Sequence, residues 1–346
     1  MTEPLSNAPA AVTATAGRAS EIVFDAVTKR YPRRAEPAVR SLSLTVPAGE
    51  ICVLVGPSGG GKTTAMRMVN RLIDITEGDI RIDGTSVGSL DATRLRRGIG
   101  YVIQQIGLFP HMTVGQNIGT VPRLLGWDRS RIRSRARELI ELVGLDPGHD
   151  LERYPAELSG GQRQRVGLAR AMAADPPLML MDEPFGALDP ITRARLQDEF
   201  LRLHRAMRKT VIFVTHDIDE AIKMGDRIAI LREGGILAQY APPDEILAAP
   251  ADDFVARFVG ADRVLKRLSL MTLADLELDP AGQGAGDGPS ADPSTPLRDA
   301  LSVILGHGGR PLTVVGEDRR PVGVATLETI AGALSPAPAG ARERSG

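Results

Sequence analysis

The sequence of 346 residues is poor in cysteine, in aromatic residues and in long apolar runs. Its one cysteine, Cys52, lies in the apolar run 51–55, which excludes a disulfide within the chain and predicts a buried, structural thiol. No run reaches the roughly 18 apolar residues that a membrane span needs. Residues 1–19 lack the basic start and apolar segment of a secretory signal, and we expect a disordered tail there. If the protein serves a membrane, we expect it to act through partner subunits.

An excess of charge of one sign is also missing. The chain carries 42 basic and 43 acidic residues, which gives a net charge of −1. Proteins that bind nucleic acids generally show a strong basic excess. The balance argues against a general nucleic-acid binder, and we expect no nucleic-acid partner.

Short apolar runs bounded by turn residues or charges alternate with helical patterns along most of the chain. This alternation predicts an α/β sheet with helices on its faces. A helical, arginine-rich stretch at about 105–165 interrupts the pattern and predicts an inserted helical subdomain. Outside this helical stretch, the predicted strands are 22–24, 42–46, 51–55, 178–181 and 211–214.

Composition divides the chain after its first tail into four further segments. Residues 20–260 are expected to form one large domain, and residues 261–296 a connector that ends in a stretch dense in Gly, Pro, Ser and Asp. Residues 297–334 show a helix–strand–strand–helix pattern typical of a small α+β module. We expect residues 335–346 to form a second disordered tail.

A glycine-rich loop follows the apolar run 51–55 and opens a predicted helix. Glycine lets backbone N–H groups curl toward phosphate oxygens, and the helix N-terminus adds a positive dipole end. The lysine of the pattern can reach the β- and γ-phosphates, and its threonine can ligate Mg²⁺. The pattern alone leaves open a kinase, a GTPase, a helicase or a transporter ATPase, although we find no base-reading motif of a GTPase. The residues that match G-x-x-x-x-G-K-[ST], with one residue beyond, are Gly56, Pro57, Ser58, Gly59, Gly60, Gly61, Lys62, Thr63 and Thr64.

Two carboxylates end the apolar run 178–181. Asp182 and Glu183 follow it directly, and a strand end beside a phosphate loop is where α/β sheets place catalytic groups. Asp182 suits the coordination shell of Mg²⁺, and Glu183 could polarise an attacking water.

The segment 158–162 reads Leu-Ser-Gly-Gly-Gln and precedes the acidic strand end. It forms a Ser-Gly-Gly turn that opens a helix, and so offers a second anion site. With this segment, residues 21–260 resemble the ATP-binding-cassette (ABC) ATPases. The resemblance implies a P-loop NTPase core with an N-terminal antiparallel β-subdomain, the cofactors ATP and Mg²⁺, and a homodimer arranged head to tail. It also implies that four residues of one subunit close over ATP held by the other: Ser159, Gly160, Gly161 and Gln162.

The same resemblance assigns roles to four further residues. Tyr31 would stack on adenine, unless it is an ordinary edge-strand tyrosine, and Asp189 would lie in the loop that crosses the dimer interface. Gln104, with Gln105 as the alternative, would ligate Mg²⁺ and sense the membrane subunit. His216, which follows the run 211–214, would contact the γ-phosphate. The implied catalytic residues are Lys62, Gln104, Glu183 and His216, and the implied metal ligands are Thr63, Gln104 and Asp182.

Residues 185–193 and 258–270 narrow the resemblance to ATPases of importers for glycine betaine, carnitine, choline and proline betaine. That implies a membrane permease as partner, an indirect link to a solute-binding protein, and a place on the cytoplasmic face of the cell membrane. An importer of another small solute, such as an amino acid or a sulfonate, stays open. So does a soluble ABC regulator of nucleic-acid or ribosome work.

The module 297–334 resembles one cystathionine-β-synthase (CBS) repeat. Such repeats normally work in pairs, and residues 264–278 are at best the remnant of a second copy. We hypothesise that the tails of two subunits pair, and the family links such tails to sensing of ionic strength or of a nucleotide. The alternative is a small packing module without a sensing role.

Overall fold

The computed structural model describes residues 18–32, 34–103, 107–186, 188–280, 288–316, 318 and 320–334. Most of the two predicted tails lies outside these ranges, as do Gln104 and Gln105. The chain divides into two units, each described by itself. The first comprises the residues up to His216 together with Met224–Leu237, and the second comprises Asp217–Lys223 and the residues from Ala238 onward.

Thirteen strands and thirteen α-helices occur in the described part of the chain. The strands are β1 (Ile22–Lys29), β2 (Val39–Val46), β3 (Ile51–Val55), β4 (Glu77–Ile82), β5 (Thr85–Ser86), β6 (Ile99–Val102), β7 (Leu178–Asp182), β8 (Thr210–Val214), β9 (Arg227–Arg232), β10 (Ile236–Ala241), β11 (Ser290–Ala291), β12 (Leu312–Val315) and β13 (Pro321–Ala325). The helices are α1 (Lys62–Val69), α2 (Ala92–Arg97), α3 (Val114–Ile118), α4 (Thr120–Leu124), α5 (Arg129–Leu142), α6 (Gly160–Met172), α7 (Pro190–Met207), α8 (Ile218–Met224), α9 (Pro243–Ala248), α10 (Asp253–Val259), α11 (Arg263–Leu268), α12 (Leu297–Gly306) and α13 (Leu327–Ala333). None of the described helices is both long and apolar enough to cross a membrane.

The central sheet of the first unit contains five parallel strands in the order β9-β3-β8-β7-β6. Its sixth strand, β10, is where the chain passes from the first unit to the second. Every residue of β3, β7 and β8 is buried, which explains why nearly all of their residues are apolar. Cys52 is fully buried in β3, as predicted. Because the strands are parallel, the segments after β3, β7 and β8 leave the sheet at one edge.

An antiparallel sheet with the order β2-β1-β4-β5 forms the N-terminal β-subdomain, which confirms the prediction. The register of β1 shifts between Phe24 and Val27, and Ala26 has a positive φ of 47° within this bulge. Gly78 of β4 lies against the bulge, and a Cβ there would come within 2.4 Å of the Ala26 carbonyl oxygen. Glycine is therefore required at this position.

Helices α3 to α6 form the inserted helical region between β6 and β7. The loop that leads into this region is organised by Asn117, which lies fully buried in α3. The Asn117 amide donates to the carbonyl oxygens of Phe109, Met112 and Thr113 at 3.0–3.1 Å, and its oxygen accepts from the Phe109 N–H at 2.8 Å. One polar side chain thus holds the loop 109–113, because its amide nitrogen and its oxygen both bond to backbone groups of that loop.

The second unit contains a small core built around α12, the sheet β11-β12-β13 and α13. β11 lies within the predicted connector and pairs in parallel with β12, while β12 and β13 are antiparallel. The segment 264–278 is also ordered, and its Leu268 and Leu273 are buried in this same core. The remaining buried members are Leu297, Ala300, Ile304, Leu312, Val314, Ala325 and Ile330.

Substitutions at two neighbouring residues of α12 test the assignment of this core. Ile304 is fully buried, whereas Leu305 is 60% exposed. We expect Ile304→Ala to lower the free energy of unfolding of the second unit by about 2–4 kcal/mol through lost burial and a cavity. Leu305→Ala should change it by less than about 0.5 kcal/mol. Amide hydrogen exchange of α12 and β12 measures both, and equal protection in the two variants would contradict the assignment of this core.

Candidate functional site

The glycine-rich loop lies between β3 and α1, and two of its glycines are required by close backbone contacts. Gly56 has a φ of 150°, and a Cβ there would come within 2.1 Å of the Leu231 carbonyl oxygen. Gly61 has a φ of 74°, and its Cβ would come within 2.2 Å of the Ala38 carbonyl oxygen. Gly61 is also the N-cap of α1 and makes no side-chain cap bond, so the first-turn N–H groups can serve an anion.

Lys62 curls back over this loop. Its ammonium donates to the carbonyl oxygens of Gly56 and Pro57 at 2.8 and 2.9 Å, and the residue is only 8% exposed. Burial lowers the pKa of Lys62, and the nearby carboxylates of Glu183 and Asp182 partly offset this effect. The lysine that the sequence predicts to bind phosphate therefore has its ammonium buried beside the loop.

Thr63 and Asp182, predicted as metal ligands, lie side by side. The Thr63 hydroxyl donates to Asp182 Oδ1 at 2.9 Å, and Asp182 is only 3% exposed. Arg67, one helical turn after Thr63, reaches Asp182 Oδ2 at 3.4 Å. Adjacent hydroxyl and carboxylate oxygens fit a hard divalent cation such as Mg²⁺. Arg67 was missed by the sequence analysis, although its i,i+4 spacing from Thr63 places both on one face of α1.

Glu183 and His216 meet where β7 and β8 end. The Glu183 N–H donates to the Val214 carbonyl oxygen at 3.0 Å, and His216 Nδ1 lies 3.3 Å from Glu183 Oε1. Glu183 has a φ of 45°, a strained conformation for a residue with a side chain. Its side chain is 22% exposed and that of His216 is 64% exposed. The pair thus joins a largely buried carboxylate to an imidazole that faces solvent.

The signature segment forms the N-terminus of α6. The Ser159 hydroxyl accepts from the Gln162 N–H at 3.2 Å, and the Gln162 side-chain oxygen accepts from the Ser159 N–H at 2.9 Å, which completes a capping box. Ser159 and Gly160 are exposed. A Cβ on Gly160 would meet no described atom within 4 Å, so nothing in the described part of the chain requires glycine there.

Asp189 caps α7 next to this segment. Its carboxylate accepts from the Thr192 N–H at 3.0 Å, and this hydrogen bond holds the pKa of Asp189 below its ordinary value. A Cβ on Gly161 would lie 3.4 Å from Thr192 Cγ2. The structure therefore brings together the signature segment and the Asp189 loop, which the sequence had predicted separately.

Tyr31 lies on the connection between β1 and β2. The Lys29 ammonium lies 5.3 Å from its ring centroid and the Arg34 guanidinium 6.0 Å. The end of that connection, at Ala38, contacts Gly61 of the phosphate loop. Gln104 falls outside the described residues, so its place in the site remains a prediction.

Arg170 is a further residue that the sequence analysis missed. It lies on α6, and its guanidinium donates to the Gly107 carbonyl oxygen at 2.5 Å, just beyond the predicted glutamine segment. Burial lowers the pKa of Arg170. No local pattern marks this contact, because 63 residues separate the two partners.

Comparisons with known proteins agree with this geometry. A family model described as "ABC transporter" matches residues 39–186. The osmoprotectant import ATP-binding protein OsmV of Salmonella typhimurium is 52% identical over 306 residues, which cover 87% of this chain and 78% of OsmV. The glycine betaine/carnitine/choline transport ATP-binding protein OpuCA of Bacillus subtilis is 56% identical over 243 residues, 70% of this chain but only 63% of OpuCA. A dimeric post-hydrolysis ATP-binding cassette bound to ADP and Pi matches with a TM-score of 0.57 and 34% identity, over 64% of this chain and 98% of that one.

The backbone contact at Gly56 yields a test of the loop. Gly56→Ala would drive a Cβ into the Leu231 carbonyl oxygen, so we expect the loop to shift and nucleotide affinity to fall at least about tenfold. Gly84→Ala is the matched control, because Gly84 also has a positive φ of 77° but a Cβ there would meet no atom within 4 Å. That variant should lose only about 1 kcal/mol of stability and bind nucleotide normally. Titration with a fluorescent ATP analogue measures the nucleotide affinity of both variants. Unchanged affinity in Gly56→Ala would contradict the requirement for glycine at this position.

Proposed function

Since the chain belongs to the ATP-binding proteins of ABC transporters and is an ATPase, we propose that it powers import of a quaternary amine osmoprotectant such as glycine betaine. The observation that carries the catalytic part is the meeting of two pairs at one sheet edge. Thr63 Oγ1 lies 2.9 Å from Asp182 Oδ1, and His216 Nδ1 lies 3.3 Å from Glu183 Oε1. One pair suits a metal and the other suits activation of water.

The loop residues bind the phosphates of ATP through backbone N–H groups, and Lys62 exchanges its two carbonyl acceptors for phosphate oxygens. Thr63 and Asp182 would hold Mg²⁺, with Gln104 as the expected third ligand. Mg²⁺, when bound, neutralises charge on the phosphate oxygens. Tyr31 offers a ring face to the adenine.

Glu183 orients the attacking water and accepts its proton, because its carboxylate is fixed by the backbone at the end of β7. His216 lies against that carboxylate with most of its imidazole exposed, and so can contact the γ-phosphate. Lys62 adds positive charge on the same side of the sheet edge. Each of these groups comes from a strand end or from the helix that follows it, so the backbone fixes their spacing.

A second copy of the chain would complete the site. Ser159 and Gly160 are exposed at the start of α6, and the space beside Gly160 holds no described atom. Ile191, two residues after Asp189, is 84% exposed. These features support a head-to-tail dimer in which Ser159, Gly160, Gly161 and Gln162 of one subunit close over the nucleotide of the other.

The names of the relatives support the substrate class, since OsmV is described as an osmoprotectant importer and OpuCA as a glycine betaine, carnitine and choline transporter. The proposal includes a membrane permease as direct partner, a solute-binding protein as indirect partner and a place on the cytoplasmic face of the membrane. The order α12-β12-β13-α13 supports the interpretation of residues 297–334 as one CBS-like repeat.

An uptake assay in membrane vesicles tests the proposal directly. Vesicles carrying this protein with the permease and solute-binding protein encoded beside it should take up radiolabelled glycine betaine, choline or carnitine when supplied with ATP. Lys62→Ala should abolish uptake, because the ammonium is lost from the phosphate loop. Intact ATP hydrolysis without uptake of any of the three would reject the quaternary-amine substrate and favour another small solute. Absence of a neighbouring permease would favour a soluble regulator.

The open space at Gly160 separates roles within one subunit from roles between subunits. Gly160→Ala should leave the monomer as stable or up to about 1 kcal/mol more stable, because alanine favours helix and nothing blocks its Cβ. ATP hydrolysis should nevertheless fall at least about tenfold, because the added methyl group would face the partner's nucleotide. Gly332→Ala in α13, where the Cβ is equally free, is the matched control and should keep full activity. Normal hydrolysis in Gly160→Ala would contradict the proposed dimer.

A further inference from the structure

The catalytic site makes no use of the segment 258–270, whose sequence narrows the family resemblance. In the structure this segment comprises the end of α10, a turn at Gly260 and the helix α11. Gly260 has a φ of 99°, and a Cβ there would come within 2.8 Å of Asp262 Oδ1. The turn therefore requires glycine, and it places Asp262 next to Lys266 of α11.

Lys266 is the centre of a charge cluster within the second unit. Its ammonium donates to the Val259 carbonyl oxygen at 2.9 Å and forms ion pairs with Asp219 at 2.9 Å and Asp262 at 3.3 Å. These three acceptors match the three N–H donors of an ammonium. The Lys266 side chain is only 12% exposed, while that of Asp219 is 68% exposed. Burial alone would lower the pKa of Lys266, but Asp219 and Asp262 raise it above its ordinary value.

Asp219 lies in the first turn of α8, three residues after His216. The connecting residue Asp217 accepts from the N–H groups of Asp219 and Glu220 at 2.8 and 3.2 Å. The Ala221 N–H also donates to the Asp217 carbonyl oxygen at 3.1 Å. These bonds fix the backbone from Asp217 into α8, and Asp217 directly follows His216 in the chain.

The other side of α11 is fixed to the small C-terminal core. Leu268 is buried among the residues of that core. The Arg267 guanidinium donates to the Leu334 carbonyl oxygen at 3.1 Å, at the end of α13. Arg267 and Leu268 of α11 thus contact the C-terminal module, and Lys266 of the same helix contacts α8.

We propose that Lys266 is a positioning residue for His216, because by holding Asp219 it fixes the first turn of α8 and keeps the imidazole in reach of Glu183. This inference rests on the roles proposed above for His216 and Glu183.

Steady-state ATP hydrolysis by the full chain tests the proposal. Lys266→Met and Asp219→Asn should each lower kcat about fivefold and leave KM for ATP within about twofold, because nucleotide binding does not involve α8. The double variant should fall no further than Lys266→Met alone, since that change already removes the pair between Lys266 and Asp219. Arg267→Met is the matched control, because it removes from the same helix a charged guanidinium that donates to the Leu334 carbonyl oxygen; its kcat should stay within about twofold of the wild type.

A second readout does not depend on turnover. The NMR signals of the His216 imidazole, assigned with His216→Gln, should shift or broaden in Lys266→Met and Asp219→Asn but not in Arg267→Met. Additive losses in the double variant, or an equal loss in Arg267→Met, would overturn the proposal in favour of a general structural role. If Lys266→Met does not fold, Asp219→Asn decides alone, since it alters an exposed carboxylate without changing its size.

The same assays distinguish failure of this inference from failure of the proposed function. If Lys62→Ala and Glu183→Gln abolish hydrolysis while Lys266→Met and Asp219→Asn hydrolyse ATP normally, only the role of Lys266 is rejected. If Lys62→Ala and Glu183→Gln retain wild-type kcat, the proposed catalytic site itself is rejected. Loss of kcat in Lys266→Met with unchanged His216 signals would also reject the positioning role.

Discussion

The register of three parallel strands controls where Lys62, Glu183 and His216 lie. Asp182 at the end of β7 pairs with Val214 of β8, and Val214 pairs on its other side with Leu54 of β3. The hydrogen bonds continue past the strand ends, from the Glu183 N–H to Val214 at 3.0 Å and from the Thr215 N–H to Leu54 at 3.2 Å. A slip of one residue would turn each side chain to the opposite face. The distance between Glu183 and His216 therefore depends on backbone pairing before it depends on any side-chain contact.

The buried charges at this sheet edge are each stabilised by neighbouring polar groups. Asp182 and Lys62 are both buried, and either charge alone would carry a large desolvation cost. The Thr63 hydroxyl and the Arg67 guanidinium stabilise the carboxylate, while two loop carbonyl oxygens stabilise the ammonium. Because water has already been removed from these groups, a bound phosphate would meet an environment that needs little reorganisation. Part of the cost of forming the site is thus met by the fold.

Local sequence patterns predicted those parts of the site whose cause is local. The glycines of the phosphate loop, the two carboxylates directly after an apolar run and the capping serine of α6 are each marked by neighbours within a few residues. Long-range contacts left no such mark. Arg170 reaches Gly107 across 63 residues, and Leu268 joins a core whose other helices begin after the connector. The strand β11 was also missed, because Ser290 and Ala291 lack the apolar alternation that marks a half-buried strand.

The burial of Cys52 has a practical consequence. It is the one thiol in the sequence, and it lies fully buried in the middle of the central sheet. Thiol reagents need an accessible thiolate, so the native chain should be silent toward maleimide dyes and spin labels. A single cysteine introduced at an exposed position such as Ile191 would then carry the label uniquely. The chain is thereby suited, without removal of its native cysteine, to distance measurements between two subunits through a cycle of opening and closing.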